Sequence, residues 1–309
     1  ADMKETEAIY GQTDSGMTII EGHLFLNGKK PIQHRSSYGL GEVIKAALDN
    51  HTEHLVISLG GIGSFDGGAG MLQALGATFY DDEAQIVDMR KGAYLIKYIR
   101  RIDLSGVHPQ LTKVNIQLMS DFSSRLYGKK SEIMQTYESL DLSQNEAAEI
   151  DNLIWYFSEL FKNKLKIAMG PIERGGAGGG IAAVLNSLYQ AEILTSHELV
   201  NQITHLENLI QQADLIIFGE GLKEEDQILE TTTIRIAELT QQYSKPAIAI
   251  CATNDKFDLF ESLNVTAMFN TFIDMPDSYT DFKMGIQIRH YTVQALKLLK
   301  TQINLPLSS

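Results

Sequence analysis

The chain has little of what disulfide-bonded, membrane-spanning and nucleic-acid-binding proteins need. It contains one cysteine, Cys251, so an internal disulfide and a thiolate metal cluster are both excluded. No apolar run approaches the roughly 18 residues of a membrane span, and no signal peptide is recognisable. A net charge of −13, with no cluster of basic residues among aromatic ones, disfavours nucleic-acid binding. We therefore expect a cytoplasmic protein with neither a membrane nor a nucleic acid as partner.

Several catalytic motifs are also absent. The sequence has no G-x-x-x-x-G-K-S/T phosphate loop, no G-x-S-x-G nucleophile turn, and no histidine spacing typical of zinc. Gly178-x-Gly180-x-x-Ala183 formally matches the dinucleotide fingerprint, but Pro171 to Gly175 separates it from the preceding apolar run. A dinucleotide-dependent oxidoreductase is therefore only a minor alternative. We interpret residues 175–180 as a flexible loop that leads into a helix and can close over a ligand.

Short apolar runs alternate with helical patterns along most of the chain, which predicts an α/β fold with parallel sheets flanked by helices. At 309 residues we expect two domains. The predicted strands cover residues 55–59, 114–119, 166–169, 215–218, 247–251 and 268–273. The predicted helices cover residues 41–50, 68–75, 145–161, 180–189, 197–211, 228–243 and 282–299.

The first thirty residues have a different pattern. Three short apolar segments, at 8–10, 17–20 and 23–26, are separated by turn residues and predict antiparallel strands at an edge of the first domain. We place the domain boundary near residue 191. The first domain then comprises residues 1–190 and the second residues 191–309.

Two loops rich in glycine and acid follow predicted buried strands, where α/β proteins place phosphates and catalytic groups. The first runs from Gly60 to Gly70, and Asp66 precedes its helix, where it could cap the helix or hold a metal ion. The second is Gly219-Glu220-Gly221, which puts an acid at the carboxyl end of a strand. Asp121 follows another strand, and its alternative interpretation is a turn-forming residue.

Four segments together point to a known family. The run from Asp66 to Gly76 is nearly letter for letter a family signature at a helix start. Three others are similar to the family's T-Y-G-T-G-E, R-I-D-L-S-G and D-L-V-I-T-G-E-G motifs, at residues 37–42, 101–106 and 214–221. Through these motifs, whose spacing agrees from about residue 5 to the C terminus, the chain resembles the bacterial-type glycerate kinases.

The resemblance implies two α/β domains, the second Rossmann-like, with an active-site cleft between them. It implies ATP and Mg²⁺ as cofactors and the phosphorylation of D-glycerate or a related small hydroxy acid, and it leaves open whether the chain forms a homo-oligomer. The expected catalytic acids are Asp66, Glu220 and Asp121, with Asp66 also the expected metal ligand. The expected substrate- and phosphate-binding residues are Gly60, Gly61, Ser64, Gly67, Gly68, Gly176, Gly178, Gly219 and Gly221.

The chain also departs from the family pattern. The family's opening strand, its D-S-F-K segment and its A-D-G-G-E-G loop precede the part that this chain matches, so we expect a lysine and part of the second domain's sheet to be missing. Apolar or uncharged residues replace polar or charged ones inside the motifs, at Ile62, Phe65, Ser123, Leu222 and Thr231. The alternative to an active kinase is therefore a degenerate, non-catalytic paralogue that binds a small ligand or a partner.

Overall fold

The computed structural model describes residues 8–14, 16–26, 28–61, 63–220, 232–251, 257–270 and 281–302. The chain divides into two compact units, residues 1–195 and 196–309. The α/β class is confirmed, because the described residues form mixed and parallel sheets flanked by helices. The first unit extends beyond the boundary proposed from sequence because residues 192–194 pair with its central sheet.

The described residues of the first unit form seven strands: β1 Gly11–Gln12, β2 Met17–Glu21, β3 His54–Ser58, β4 Thr78–Tyr80, β5 Arg101–Asp103, β6 Asn115–Met119 and β7 Glu192–Leu194. Five of them form the main sheet, in the order β1-β2-β3-β6-β7. Strands β2, β3, β6 and β7 are parallel, and β1 runs antiparallel to its neighbour β2. A separate antiparallel pair is formed by β4 and β5.

Helices of the first unit cover the sheet and bury its apolar residues in one contiguous core. The α-helices are α1 His23–Leu26, α2 Tyr38–Asp49, α3 Ala69–Ala74, α4 Glu132–Thr136, α5 Gln144–Leu160 and α6 Ile181–Tyr189. Short 3-10 segments occupy Ile32–His34, Met89–Lys91, Ala93–Tyr98, Pro109–Thr112 and Glu138–Leu140, and a π-helical turn, Phe161–Leu165, follows α5.

The backbones of α2 and α3 approach closely at Gly41, where a Cβ would lie 2.5 Å from the carbonyl oxygen of Met71. This contact brings the start of α2 against the loop before α3. A capping box starts α5, because Ser143 and Glu146 each bond the other's backbone N–H. These local features agree with the predicted helices at 41–50, 68–75 and 145–161.

Three predicted strands of the first unit, at 8–10, 23–26 and 166–169, are wrong. Residues 23–26 form α1, because the chain turns at Gly22, whose N–H donates to the Ser58 carbonyl, as it leaves β2. Residues 166–169 are not a strand, because the helical backbone continues through the π turn and ends at Lys166 with a φ of +63°. Residues 8–10 are not in a strand. The strand that follows them, β1, pairs antiparallel with β2 at the edge of the sheet, as expected, but β2 itself pairs in parallel with β3, and Ile20 is fully buried.

The described residues of the second unit form the strands β8 Ile216–Glu220, β9 Ala247–Cys251 and β10 Ala267–Asn270. These strands make a parallel sheet in the order β10-β9-β8. Its helices are α7 Ser196–Thr204, α8 Leu206–Gln212, α9 Thr232–Gln242, α10 Phe257–Ser262 and α11 Asp281–Gln302. The single helix predicted at 197–211 is two helices, because His205 adopts a left-handed φ of +53° between them.

Candidate functional site

The loops after the parallel strands of the first unit start side by side at one edge of the sheet. The N–H of Leu59, just after β3, donates to the Met119 carbonyl at 2.8 Å. The N–H of Ser120, just after β6, donates to the Leu194 carbonyl at 2.8 Å. The carboxyl edge of a parallel sheet is the usual ligand-binding edge in open α/β folds. The loop after β3 carries the candidate residues from Gly60 to Gly68, and the loop after β6 carries Asp121.

At the tip of the loop after β3, Gly60 and Gly61 are exposed. A Cβ at either position would meet no atom within 4 Å, and Gly61 has a φ of +67°. Asp121, two residues beyond the end of β6, is half-buried. These three predicted residues are therefore accessible from solvent, and an anionic group could approach the backbone of the glycines closely.

The base of the same loop is closed to solvent. Asp66 is fully buried, and its Oδ2 accepts hydrogen bonds from the N–H and the hydroxyl of Ser37 at 2.8 and 2.9 Å, and from the N–H of Gly70 at 3.1 Å. Its Oδ1 accepts the N–H of Gly68 at 3.1 Å. Burial raises the pKa of Asp66, and the hydrogen bonds from Ser37, Gly70 and Gly68 oppose that rise. Asp66 thus joins the start of α2 to the start of α3, which is the geometry of the capping interpretation.

The backbone donors expected from Gly67 and Gly68 are already engaged within the protein. The N–H of Gly67 donates to the Gly179 carbonyl at 2.9 Å, and that of Gly68 donates to Asp66. A phosphate could bind these amides only by displacing those protein oxygens, so the binding role of Gly67 and Gly68 stays a prediction. Phe65 is also buried beside them.

Ser64 completes the buried base of the loop. It is fully buried, and its hydroxyl has no hydrogen-bond partner among the described residues. The predicted binding residues after β3 therefore form two groups. Gly60 and Gly61 lie at the exposed tip of the loop, and Ser64, Gly67 and Gly68 lie in its buried base.

The glycine segment at 175–180 is not the flexible closing loop that its composition suggested. All six residues are buried, and Gly176 donates its N–H to the Ser124 carbonyl at 3.4 Å. Gly179 has a φ of +61°, and a Cβ there would overlap the carbonyl oxygen of Ser64. The predicted residues Gly176 and Gly178 therefore belong to a packed turn, whose small side chains allow three backbone segments to meet.

Sequence reasoning missed Glu132, which lies under this packed turn at the start of α4. Its side chain is buried, and its carboxylate accepts hydrogen bonds from the N–H groups of Gly179, at 3.4 Å, and Gly178. Burial raises the pKa of Glu132 to about 8, against the lowering effect of the two amides. A glutamate in the first turn of a helix is ordinarily exposed, so nothing in the local pattern marks this one as buried.

The second acidic loop belongs to the second unit. Glu220 is the last residue of β8 and lies opposite Cys251 in the register with β9, while Gly219 lies within the strand. Gly221 and the departures at Ile62, Leu222 and Thr231 lie outside the described residues. Within the described ranges no three His, Cys, Asp or Glu side chains are grouped so as to hold a metal ion. The metal role of Asp66 and the catalytic roles of Asp66, Asp121 and Glu220 stay predictions.

Comparison with known proteins decides the family. The sequence model of the glycerate kinase family matches residues 3–287. The chain belongs to the glycerate kinase family. This family member is 30% identical over 254 residues to the glycerate kinase of Halalkalibacterium halodurans, and the match covers 80% of this chain and 66% of that protein. It is 29% identical over 236 residues to the glycerate 2-kinase of Escherichia coli K12, covering 76% of this chain and 61% of that protein.

A solved structure supports the same assignment. This family member superposes with a TM-score of 0.80 on a crystal structure of a protein described as glycerate kinase 2 from Salmonella typhimurium LT2. The two sequences are 26% identical, and the superposition covers 96% of this chain and 80% of that chain. The chain spans a little under two thirds of the length of the Halalkalibacterium and Escherichia relatives. In the part of the chain that the structure describes, no helix is long and apolar enough to cross a membrane.

Proposed function

We propose that the protein transfers a phosphoryl group from ATP to a hydroxyl of D-glycerate or a related small hydroxy acid, with Mg²⁺ and in the cytoplasm. The observation that carries this proposal is the pair of solvent-accessible elements at the carboxyl edge of the sheet, the exposed Gly60-Gly61 and the half-buried Asp121, in a chain of the glycerate kinase family. Phosphoryl transfer depends mainly on positioning and charge stabilisation, which such loops are suited to supply.

The residues present fit a nucleotide phosphate and a magnesium ion. The open space around Gly60 and Gly61 lets a phosphate approach the backbone without meeting a side chain. Mg²⁺ is usually held by one or two carboxylates together with substrate phosphates and water, so Asp121 would be a sufficient protein ligand for the ion. When bound, the ion would neutralise charge that develops on the transferred group. We assign to Glu220 the role of a second acid, which orients the substrate hydroxyl or accepts its proton.

A non-catalytic role is favoured by a different observation. Asp66 is buried, and the amides of Gly67 and Gly68 donate to protein oxygens. The start of the family signature that begins at Asp66 therefore makes hydrogen bonds that stabilise the fold. A family member that kept this structure but lost its phosphate-binding side chains would bind a small ligand or a partner without turning it over.

An ADP-release assay with D-glycerate and Mg²⁺-ATP separates the two functions. Turnover that falls at least about 100-fold in Asp121→Asn and Glu220→Gln, but is kept in Asp82→Asn, would support the kinase; about 100-fold is the usual scale for one catalytic acid or base. Asp82 is the matched control because it is exposed and lies outside the loops that carry Gly60, Asp121 and Glu220. A folded wild-type chain that releases no ADP, yet binds D-glycerate in a calorimeter, would contradict the kinase and favour the non-catalytic alternative.

A further inference from the structure

Arg35 lies beside the glycine loop that follows β3. Its Nη1 donates a hydrogen bond to the Gly63 carbonyl at 3.0 Å, and its Nε donates one to the Lys30 carbonyl at 2.7 Å. The residue is half-buried. Two bonds to backbone oxygens from different parts of a planar group fix its orientation, so the guanidinium is held in place next to the loop.

The backbone that carries Arg35 is fixed as well. Ser37, two residues further on, donates its N–H and hydroxyl to the buried carboxylate of Asp66, and accepts the N–H of Met71 at 2.8 Å. The segment around Arg35 is therefore bound to the loop at both Gly63 and Asp66. Such a doubly anchored side chain is already oriented before a ligand arrives, which lowers the entropy cost of binding.

Most of the hydrogen-bonding capacity of Arg35 is unused within the described residues. A guanidinium has five N–H donors, and Arg35 directs two of them to backbone oxygens. Within the same ranges no ion pair joins Arg35 to an aspartate or glutamate. A preoriented guanidinium with spare donors is suited to bind a carboxylate or a phosphate through two parallel bonds.

The charge of the chain makes this cation more significant. A net charge of −13 repels anionic substrates on average, so a local cation is needed where an anion is to bind. We infer that Arg35 is a substrate-binding residue of this site, which holds an oxyanion of the substrates, either the carboxylate of the hydroxy acid or a phosphate of the nucleotide. This inference rests on the proposed function for its ligands, and its first test does not require turnover.

The first test measures ligand protection of Arg35 in the wild-type chain. Phenylglyoxal modifies accessible guanidinium groups, and mass spectrometry of peptides reports the rate at each arginine. We expect saturating D-glycerate or Mg²⁺-ATP to slow modification of Arg35 at least about fivefold, and the ligand that does so identifies the oxyanion. Arg101 is the matched control, because it is exposed and its guanidinium carbon lies 3.6 Å from the centre of the Tyr80 ring. An Arg35 rate unchanged by both ligands would overturn the inference.

The second test is kinetic. In an active kinase we expect Arg35→Gln to raise the KM for the protected substrate about 10- to 100-fold while changing kcat little, as the loss of a charged hydrogen bond should. Arg35→Lys, which keeps the charge but not the fork of donors, should show a smaller rise. Normal turnover with an unchanged KM in Arg35→Gln would refute the role of Arg35 alone. Absence of turnover in the wild type would instead refute the kinase proposal and leave the protection test decisive.

Discussion

The buried carboxyl of Glu132 should make the stability of the first unit fall as the pH rises. Its pKa is raised from 4.5 to about 8 in the folded protein, because burial disfavours the charged form. Between these values the folded state keeps a proton that the unfolded chain has lost. The stabilisation is therefore complete below about pH 4.5 and is lost as the pH rises through about 8.

The size of the effect follows from the separation of the two pKa values. One proton changes the free energy of unfolding by about 1.36 kcal/mol per pH unit, so the whole window corresponds to up to about 5 kcal/mol. Between pH 5.5 and 7.5 alone the change should be about 3 kcal/mol. Asp66 and Asp151 also have raised pKa values owing to burial, and they contribute slopes of the same sign.

A difference measurement isolates Glu132 from the other carboxyls. Glu132→Gln is close in shape and cannot ionise, so the free energy of unfolding of the variant minus that of the wild type should rise with pH by these amounts. Urea unfolding at several pH values, followed by fluorescence, gives both free energies. The only tryptophan, Trp155, lies on α5, so its fluorescence reports on the first unit.

The exposed Glu149, also on α5, provides the control variant Glu149→Gln. The difference between this variant and the wild type, measured over the same range, is the baseline for the comparison. A constant offset in Glu132→Gln does not matter, because the quantity compared is the change of the difference with pH. If the difference for Glu132→Gln follows the baseline to within about 0.5 kcal/mol, Glu132 does not hold its proton in the folded state and the reasoning fails.

Three further substitutions test the packing of the loops. Gly179→Ala should lower the free energy of unfolding of the first unit, measured in urea, by about 3 kcal/mol or more, because the strain of the left-handed φ adds to the overlap of the new Cβ with the Ser64 carbonyl oxygen. Gly60→Ala is the control: its Cβ would enter open space, so the free energy of unfolding should change by less than about 1 kcal/mol. Ser37→Ala removes the hydroxyl that donates to Asp66 and accepts the N–H of Met71, so it should lower the free energy of unfolding by about 1 to 3 kcal/mol. A decrease below about 0.5 kcal/mol would contradict this and show that water replaces the hydroxyl.

Some of the fold was predictable because its determinants are local. The strand at 247–251 is a continuous apolar run, and the strands at 54–58 and 115–119 each contain three apolar residues of five, which is enough to predict a buried strand. The helix at 144–160 carries its own start signal in Ser143 and Glu146. The failures at 23–26 and 166–169 concern short apolar segments, whose pattern does not distinguish a strand from a turn of helix.

The sequence by itself determined the family, the α/β class and the acids and glycines that follow the strands, because motifs and burial patterns are written along the chain. Only the tertiary structure decided which of these groups are exposed and which form hydrogen bonds within the protein. The carboxylate of Asp66 and the amides of Gly67 and Gly68 bond groups more than 25 residues away or within their own turn, and such pairings depend on how the segments pack. The same packing buried Glu132 and set Arg35 beside the loop, where no local pattern marks either residue.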